Sequence, residues 1–294
     1  MTIRWATRLV PHSSLRLLAG LAALVAVAVQ PVVASAKFDG SVAPEPSSQR
    51  LLEHLQQDEN AIALAQDEQR LLRLQPPGDD FLARMVDNLQ LENADFRFRE
   101  AVRAQQRHLL DVAADPALAA QVERDAPPDI AAVVHDMVGA WYAVWKLDGI
   151  DEFHLVRIHP RPLGRTEPAS QLAGYYREAA QRYQMDWAVL ASINFVESDF
   201  GRVNGPSSAG AIGPMQFLPS TWEAYGQGDI NNAHDAIDAA ARYLFLHGAL
   251  RDMDRAIFAY NHDRNYVNAI DFYAERMRND PAWLTRLYYW NTQG

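Results

Sequence analysis

The stretch WAVLASINFVE, residues 187–197, decides the fold. Its only charge is Glu197 at the end, and it contains no Gly or Pro. A helix built from it is apolar on nearly every face, which in a water-soluble chain marks a central, buried element. Asp186 stands where an N-cap belongs. The next stretch, FGRVNGPSSAGAIGPMQF at residues 200–217, has four Gly and two Pro in eighteen residues. That is too irregular for a helix and suits a loop lining a cleft, with room for a small β element.

Helical periodicity continues on both sides. Leu172, Tyr175, Tyr176, Ala179 and Tyr183 mark a helix upstream. Downstream, a short turn of helix at 219–225 precedes helices at about 235–247, 253–260 and 264–278, and Pro281 starts a last one. Further upstream Asp129 begins a helix whose apolar face includes Val133, Met137, Trp141 and Trp145. Residues 48–75 and 81–122 read as charged helices broken by Pro76-Pro77-Gly78, with Asp79 placed to cap the second. The expected fold is therefore mainly α: a helical unit with one long irregular loop at 166–294, a helix and connector at 129–165, and a helical region at 37–128.

Composition sharpens that division. Residues 37–140 contain no Trp and no Tyr, although the chain has 7 Trp and 11 Tyr. Lacking rings to stack on sugars, residues 37–128 read as a stalk, spacer or partner-binding hairpin, with a cell-envelope protein as the partner. Residues 1–36 read as an export signal or an uncleaved anchor. Arg4, Arg8 and Arg16 precede the thirteen-residue run LLAGLAALVAVAV at 17–29, and Ala34-Ser35-Ala36 offers a cleavage site. The apolar run falls short of the roughly 20 residues a spanning helix needs. The chain is thus expected in the periplasm, cell wall or extracellular space.

The 294 residues carry a formal charge of −10 and no Cys. Such a chain has no thiolate metal site, disulfide or cysteine nucleophile, and it is ill suited to nucleic acid. No cofactor or metal is expected. His154 and His159 lack an acidic ligand set. Asp229, Asn231 and Asp235 lack the Gly and Glu of a calcium loop, and Asp235 reads as a helix cap. Residues 205–210 miss the nucleophile-elbow spacing and follow a helix.

Glu197 is the chemically unusual residue. A carboxylate at the C-terminal, negative end of a buried helix is disfavoured in its charged form. The effect raises its pKa toward the range of a general acid. Tyr260, in Ala259-Tyr260-Asn261 at another helix end, is placed to hydrogen-bond such a carboxyl. Trp222 and Tyr225 are candidates for stacking on sugars.

Taken together, Glu197-Ser198, the run from Ser207 to Gln216 and Ala259-Tyr260-Asn261 resemble the three-motif signature of bacterial lytic murein transglycosylases. The resemblance covers roughly residues 168–277 and implies a lysozyme-like catalytic domain. It implies that Glu197 is the single acid/base and that peptidoglycan glycan strands are the substrate. It further implies that Ser198, Ser207, Gly210, Met215, Gln216, Tyr260 and Asn261 line or support the sugar subsites. The third motif departs from many relatives by running on as His262-Asp263-Arg264-Asn265-Tyr266 instead of a glycine-rich turn. The reaction so implied cleaves the MurNAc–GlcNAc bond and closes a 1,6-anhydro ring. A hydrolytic muramidase and a non-catalytic wall-binding protein are the alternatives.

Overall fold

The computed structural model describes residues 47–147, 164–203 and 205–290. The leader and the passage around FHLVRIHP lie outside these. Among the described residues there are eleven helices and one isolated antiparallel bridge, Ile212 with Phe217.

Helices α1 (Ser48–Leu74) and α2 (Phe81–Ala113) form an antiparallel hairpin. The Ser47 hydroxyl caps the first, and the second is capped by Asp80 rather than Asp79, its carboxylate accepting from the Ala83 amide at 2.8 Å. Cross-hairpin pairs Gln69–Asp95 (2.8 Å), Arg97–Glu68 (2.5 Å) and His108–Asp58 (2.6 Å) hold the register. Helix α3 (Pro116–Asp125) starts at a proline behind the Asp115 cap, and α4 (Pro128–Leu147) follows with Asp129 in its first turn.

The second half comprises α5 (Ala169–Tyr183), α6 (Trp187–Ser198), α7 (Pro219–Tyr225), α8 (Ala233–Leu246), α9 (Met253–Tyr260), α10 (Arg264–Asn279) and α11 (Trp283–Trp290). Every residue of α6 after Trp187 is buried, as its all-round apolar sequence requires. Asp186 caps it, accepting from the Ala188 amide at 2.9 Å. At α8 the cap is Asn232, and Asp235 instead accepts the Asp229 amide at 2.9 Å, closing the preceding loop. The last helix begins at Trp283, two residues beyond Pro281.

The two halves share one apolar core. It runs from Leu51 and Leu55 of α1 through Phe98 of α2 and Met137 of α4 to Leu190 and Phe195 of α6. Helix α4 lies directly on α10. A Cβ at Gly139 would come within 2.7 Å of the Phe272 ring, so only glycine permits that approach. The Asp136 carboxylate meets Arg276 across the same contact at 3.5 Å. At the other end Trp141 packs on Trp290 with ring centres 5.3 Å apart, and Phe98 meets Tyr289 edge-on at 6.0 Å. Glu59 accepts two bonds from Arg286 Nη1, at 2.8 and 2.9 Å. The free end of the α1–α2 hairpin is different: Leu74, Phe81, Leu82, Met85 and Leu89 are exposed there. Among the described residues no helix is long and apolar enough to cross a membrane.

Candidate active site

The end of α6 sets the site. Right after Glu197 and Ser198, Asp199 (φ 50°) and Phe200 (φ 59°) both take the left-handed conformation that non-glycine residues rarely adopt. Their amides turn back onto Phe195 O (2.8 Å) and Asn194 O (3.1 Å), so the helix ends abruptly with Glu197 in its last turn. Two consecutive residues of this kind store strain, and such strain concentrates at functional sites.

Ser198 is fully buried and ties the loop down. Its hydroxyl donates to Pro214 O and accepts from the Gly201 amide at 2.8 Å. Asn194, one turn earlier, also bonds Pro214 O, at 2.8 Å, and is itself held by the Tyr176 hydroxyl at 2.6 Å. Ser207 shapes the loop from the inside, its hydroxyl accepting from the Ala211 amide at 2.9 Å and the Ala209 amide at 3.2 Å. Gly210 completes that turn at φ 82°.

The Ile212–Phe217 bridge, with bonds of 2.9 and 3.0 Å, closes a tight hairpin whose tip is Gly213 to Gln216. This is the small β element the glycines suggested. Gly213 has φ 79°, and a Cβ there would lie 2.1 Å from Ile230 O. Gly213→Ala should therefore displace the tip and destabilise the chain by more than the ~1 kcal/mol of an ordinary backbone mismatch. Urea unfolding checks this, with an unshifted midpoint as the contrary result. At the tip Met215 is buried and its carbonyl accepts the Tyr260 hydroxyl at 2.7 Å. Gln216 has φ 48°, and its amide nitrogen bonds Gly213 O at 2.9 Å while its buried Oε1 has no partner among the described residues. The buried Asn261 Nδ2, at the end of α9, is likewise without one. Buried polar atoms left open in this way are costly unless a ligand satisfies them.

Glu197 itself is 2% exposed. Its partner is Tyr266, in the first turn of α10, whose hydroxyl donates to Glu197 Oε1 at 2.7 Å. Burial pushes the Glu197 pKa up from the usual 4.5 to about 8, and the Tyr266 bond pulls partly against it. The carboxyl group is thus protonated at neutral pH, and Tyr266 on Oε1 leaves Oε2 for the proton. Burial also raises Tyr266 well above the usual tyrosine range, so it remains a donor. Asp199 is engaged elsewhere, fully buried and facing Arg202 Nη1 at 3.4 Å.

The structure thus brings Glu197, Met215, Gln216 and Tyr260 into one neighbourhood but reassigns a contact. Tyr260, read from the sequence as a bond to the carboxyl, bonds Met215 O, and Tyr266 holds the acid. Tyr266 lies in the apolar row Tyr266, Ile270, Tyr273 and Met277, so periodicity alone marked it as packing. No signal in the sequence singled it out; it is the third residue of α10 behind the Asp263 cap. Trp222 and Tyr225 pack on Phe217 and Tyr243, with ring centres 5.7 and 4.8 Å apart. Replacing Tyr266 by Phe removes a bond that favours the ionised carboxylate, so the Glu197 pKa should rise further. The alkaline limb of the pH–rate profile should then move to higher pH; an unmoved limb would assign Tyr266 to packing alone.

Residues 174–275 match the protein family described as Transglycosylase SLT domain. The matched stretch is about a third of the chain and mainly α, as in that domain, with Glu197, the loop tip and Ala259-Tyr260-Asn261 all inside it. Among relatives, a Membrane-bound lytic murein transglycosylase F of Thiobacillus denitrificans is 29% identical over 128 residues, 40% of this chain and 27% of the relative. One of the same name from Marinobacter nauticus is 32% identical over 118 residues, 37% of this chain and 23% of the relative. The chain thus matches only about a quarter of the length of these relatives. No solved structure matches significantly.

Proposed function

We propose that this protein is a peptidoglycan lytic transglycosylase with Glu197 as its single general acid and base. One observation carries the reading: a fully buried carboxyl group, pushed up to about 8 and held by Tyr266, at the strained end of the central helix of an SLT domain. Most glycosidases use two carboxyl groups. Here nearby Asp199 is engaged by Arg202. A one-carboxylate scheme fits that inventory.

Protonated Glu197 gives its proton to the oxygen linking N-acetylmuramic acid to N-acetylglucosamine as that bond breaks. The sugar's own N-acetyl carbonyl supports the positive charge on the ring carbon. Glu197, now a carboxylate kept hydrogen-bonded by Tyr266, takes the proton of the C6 hydroxyl. The C6 oxygen then closes a 1,6-anhydro ring on the anomeric carbon and Glu197 is regenerated. Ser198, Ser207 and Gly210 hold the loop; Met215, Gln216, Tyr260 and Asn261 form the sugar-facing wall, where Gln216 Oε1 and Asn261 Nδ2 offer unused bonding capacity.

The substrate places the protein in the cell envelope, after export or anchored through residues 1–36. The exposed apolar end of the α1–α2 hairpin supports docking of an envelope protein on residues 37–128. The test is whether purified peptidoglycan dissolves without new reducing ends. Ring closure consumes the anomeric carbon, so turbidity should fall while reducing ends stay flat. One reducing end per cleavage would make the protein a hydrolase, and unchanged turbidity would leave it a binding protein.

A further inference from the structure

A second site lies where the α1–α4 helices meet the SLT domain. Arg99 and Arg103 of α2, Arg165 before α5, and Arg202 after α6 converge on an open cavity of ≈ 340 Å³, walled also by Tyr288 and Tyr289 of α11. Among the described residues neither an acidic side chain nor any residue of the Glu197 site lines it. Of the four arginines only Arg202 falls within residues 174–275, so most of the cavity wall lies outside the stretch that matches the family.

Three of the arginines are held in place, and Arg165 is exposed at the rim. Arg202, 4% exposed, stacks 4.0 Å from the centre of the Tyr288 ring while facing Asp199 at 3.4 Å. Arg103 meets Glu100 at 2.6 Å. Arg99 lies over the Tyr289 ring at 5.9 Å. Among the described residues no carboxylate lies within 4.0 Å of Arg99 or Arg165. Asp199 and Glu100 balance Arg202 and Arg103, which leaves the guanidinium groups of Arg99 and Arg165 on the hollow as the attraction for an anion. The planar fork of arginine matches a carboxylate with two parallel bonds, and the tyrosine rings supply apolar walls for the chain carrying it.

Resting on the peptidoglycan reading, we propose that this cavity binds the carboxylate groups of the peptide stems borne by a glycan strand. The sugar rings of that polymer are uncharged, and its stems carry the acid groups. The cavity thereby supplies an attraction to the wall polymer that the net charge of the protein opposes, and it favours strands that still bear stems.

The test is calorimetric binding to the full chain carrying Glu197→Gln, which stops turnover. The two ligands are soluble glycan strands with free stem carboxylates and the same strands with those carboxylates converted to amides. The parent should prefer the strands with free carboxylates by about tenfold or more, the scale of one charge-assisted contact. Arg99→Ala with Arg165→Ala should erase that preference without changing the melting temperature. Arg165→Ala alone, at a position outside any helix, should reduce it if the double variant folds poorly. Equal affinity of the parent for both strands, or full preference in the variants, overturns the site while leaving strand binding intact. Failure of the parent to bind either strand would instead overturn the peptidoglycan reading itself.

Discussion

Glu197→Gln should cut release of glycan fragments by about 10²- to 10⁴-fold, the usual contribution of general acid–base catalysis, and by more if the group acts in both steps. The amide keeps the shape and can still accept from the Tyr266 hydroxyl, but it has no proton of suitable acidity to give. Stability should move the other way. In the folded chain Glu197 has a pKa of about 8, against the usual 4.5, so between those pH values the folded state holds a proton that the unfolded chain has lost. The stabilising effect is complete below about 4.5 and is lost as pH rises through 8, at about 1.4 kcal/mol per unit. Glutamine does not titrate. The variant should thus gain stability over wild type as pH rises through that window. Asp136 and Asp271, both raised to about 6 by burial, contribute to both profiles and cancel in their difference. Urea midpoints from pH 5 to 9 check this, and parallel profiles would show that Glu197 is charged when folded.

The second large effect is expected far from the carboxyl group. Glu59 of α1 holds Arg286 of α11, which is 6% exposed, and also accepts from the buried Gln105 amide at 2.6 Å. Glu59→Ala strips both donors and leaves Arg286 only the Asp280 carboxylate at 4.0 Å. Removing one partner of a buried pair costs about 3–5 kcal/mol, and the partial exposure of Glu59 places this case near the lower end, about 3 kcal/mol. Replacing both residues by Leu should cost less than the two single losses together. Because the core is continuous across the seam, unfolding should remain one transition in every variant. A hairpin that melted separately, with the rest unaffected by Glu59→Ala, would make residues 48–113 an appended stalk.

That seam is also where the sequence was hardest to read. Helix α6 was plain because a segment apolar all round can only be central, and the loop was plain because its glycines forbid a helix. Residues 48–75 carry a mixed, weakly striped pattern that reads as a solvated helix. What buries their inner side is a long-range partnership, Glu59 with Arg286 and Phe98 with Tyr289, and no local periodicity encodes it. The candidate site shows the same division. The position of Glu197 followed from helix patterning and dipole, and its high pKa from burial. Which tyrosine meets the carboxyl depends on how the end of α9 and the start of α10 sit in space, with Tyr260 on Met215 O and Tyr266 on Glu197. The arginine cavity draws on four separated positions, each an ordinary charged residue in sequence.

The one-carboxyl, ring-closing reaction is tested most directly by digesting purified peptidoglycan with the wild-type chain in ¹⁸O-labelled water and weighing the released fragments. The expected fragments are one water lighter than hydrolytic products and free of label, because the C6 hydroxyl closes the ring and no solvent oxygen enters. Fragments one water heavier, carrying the label at their new ends, would contradict it.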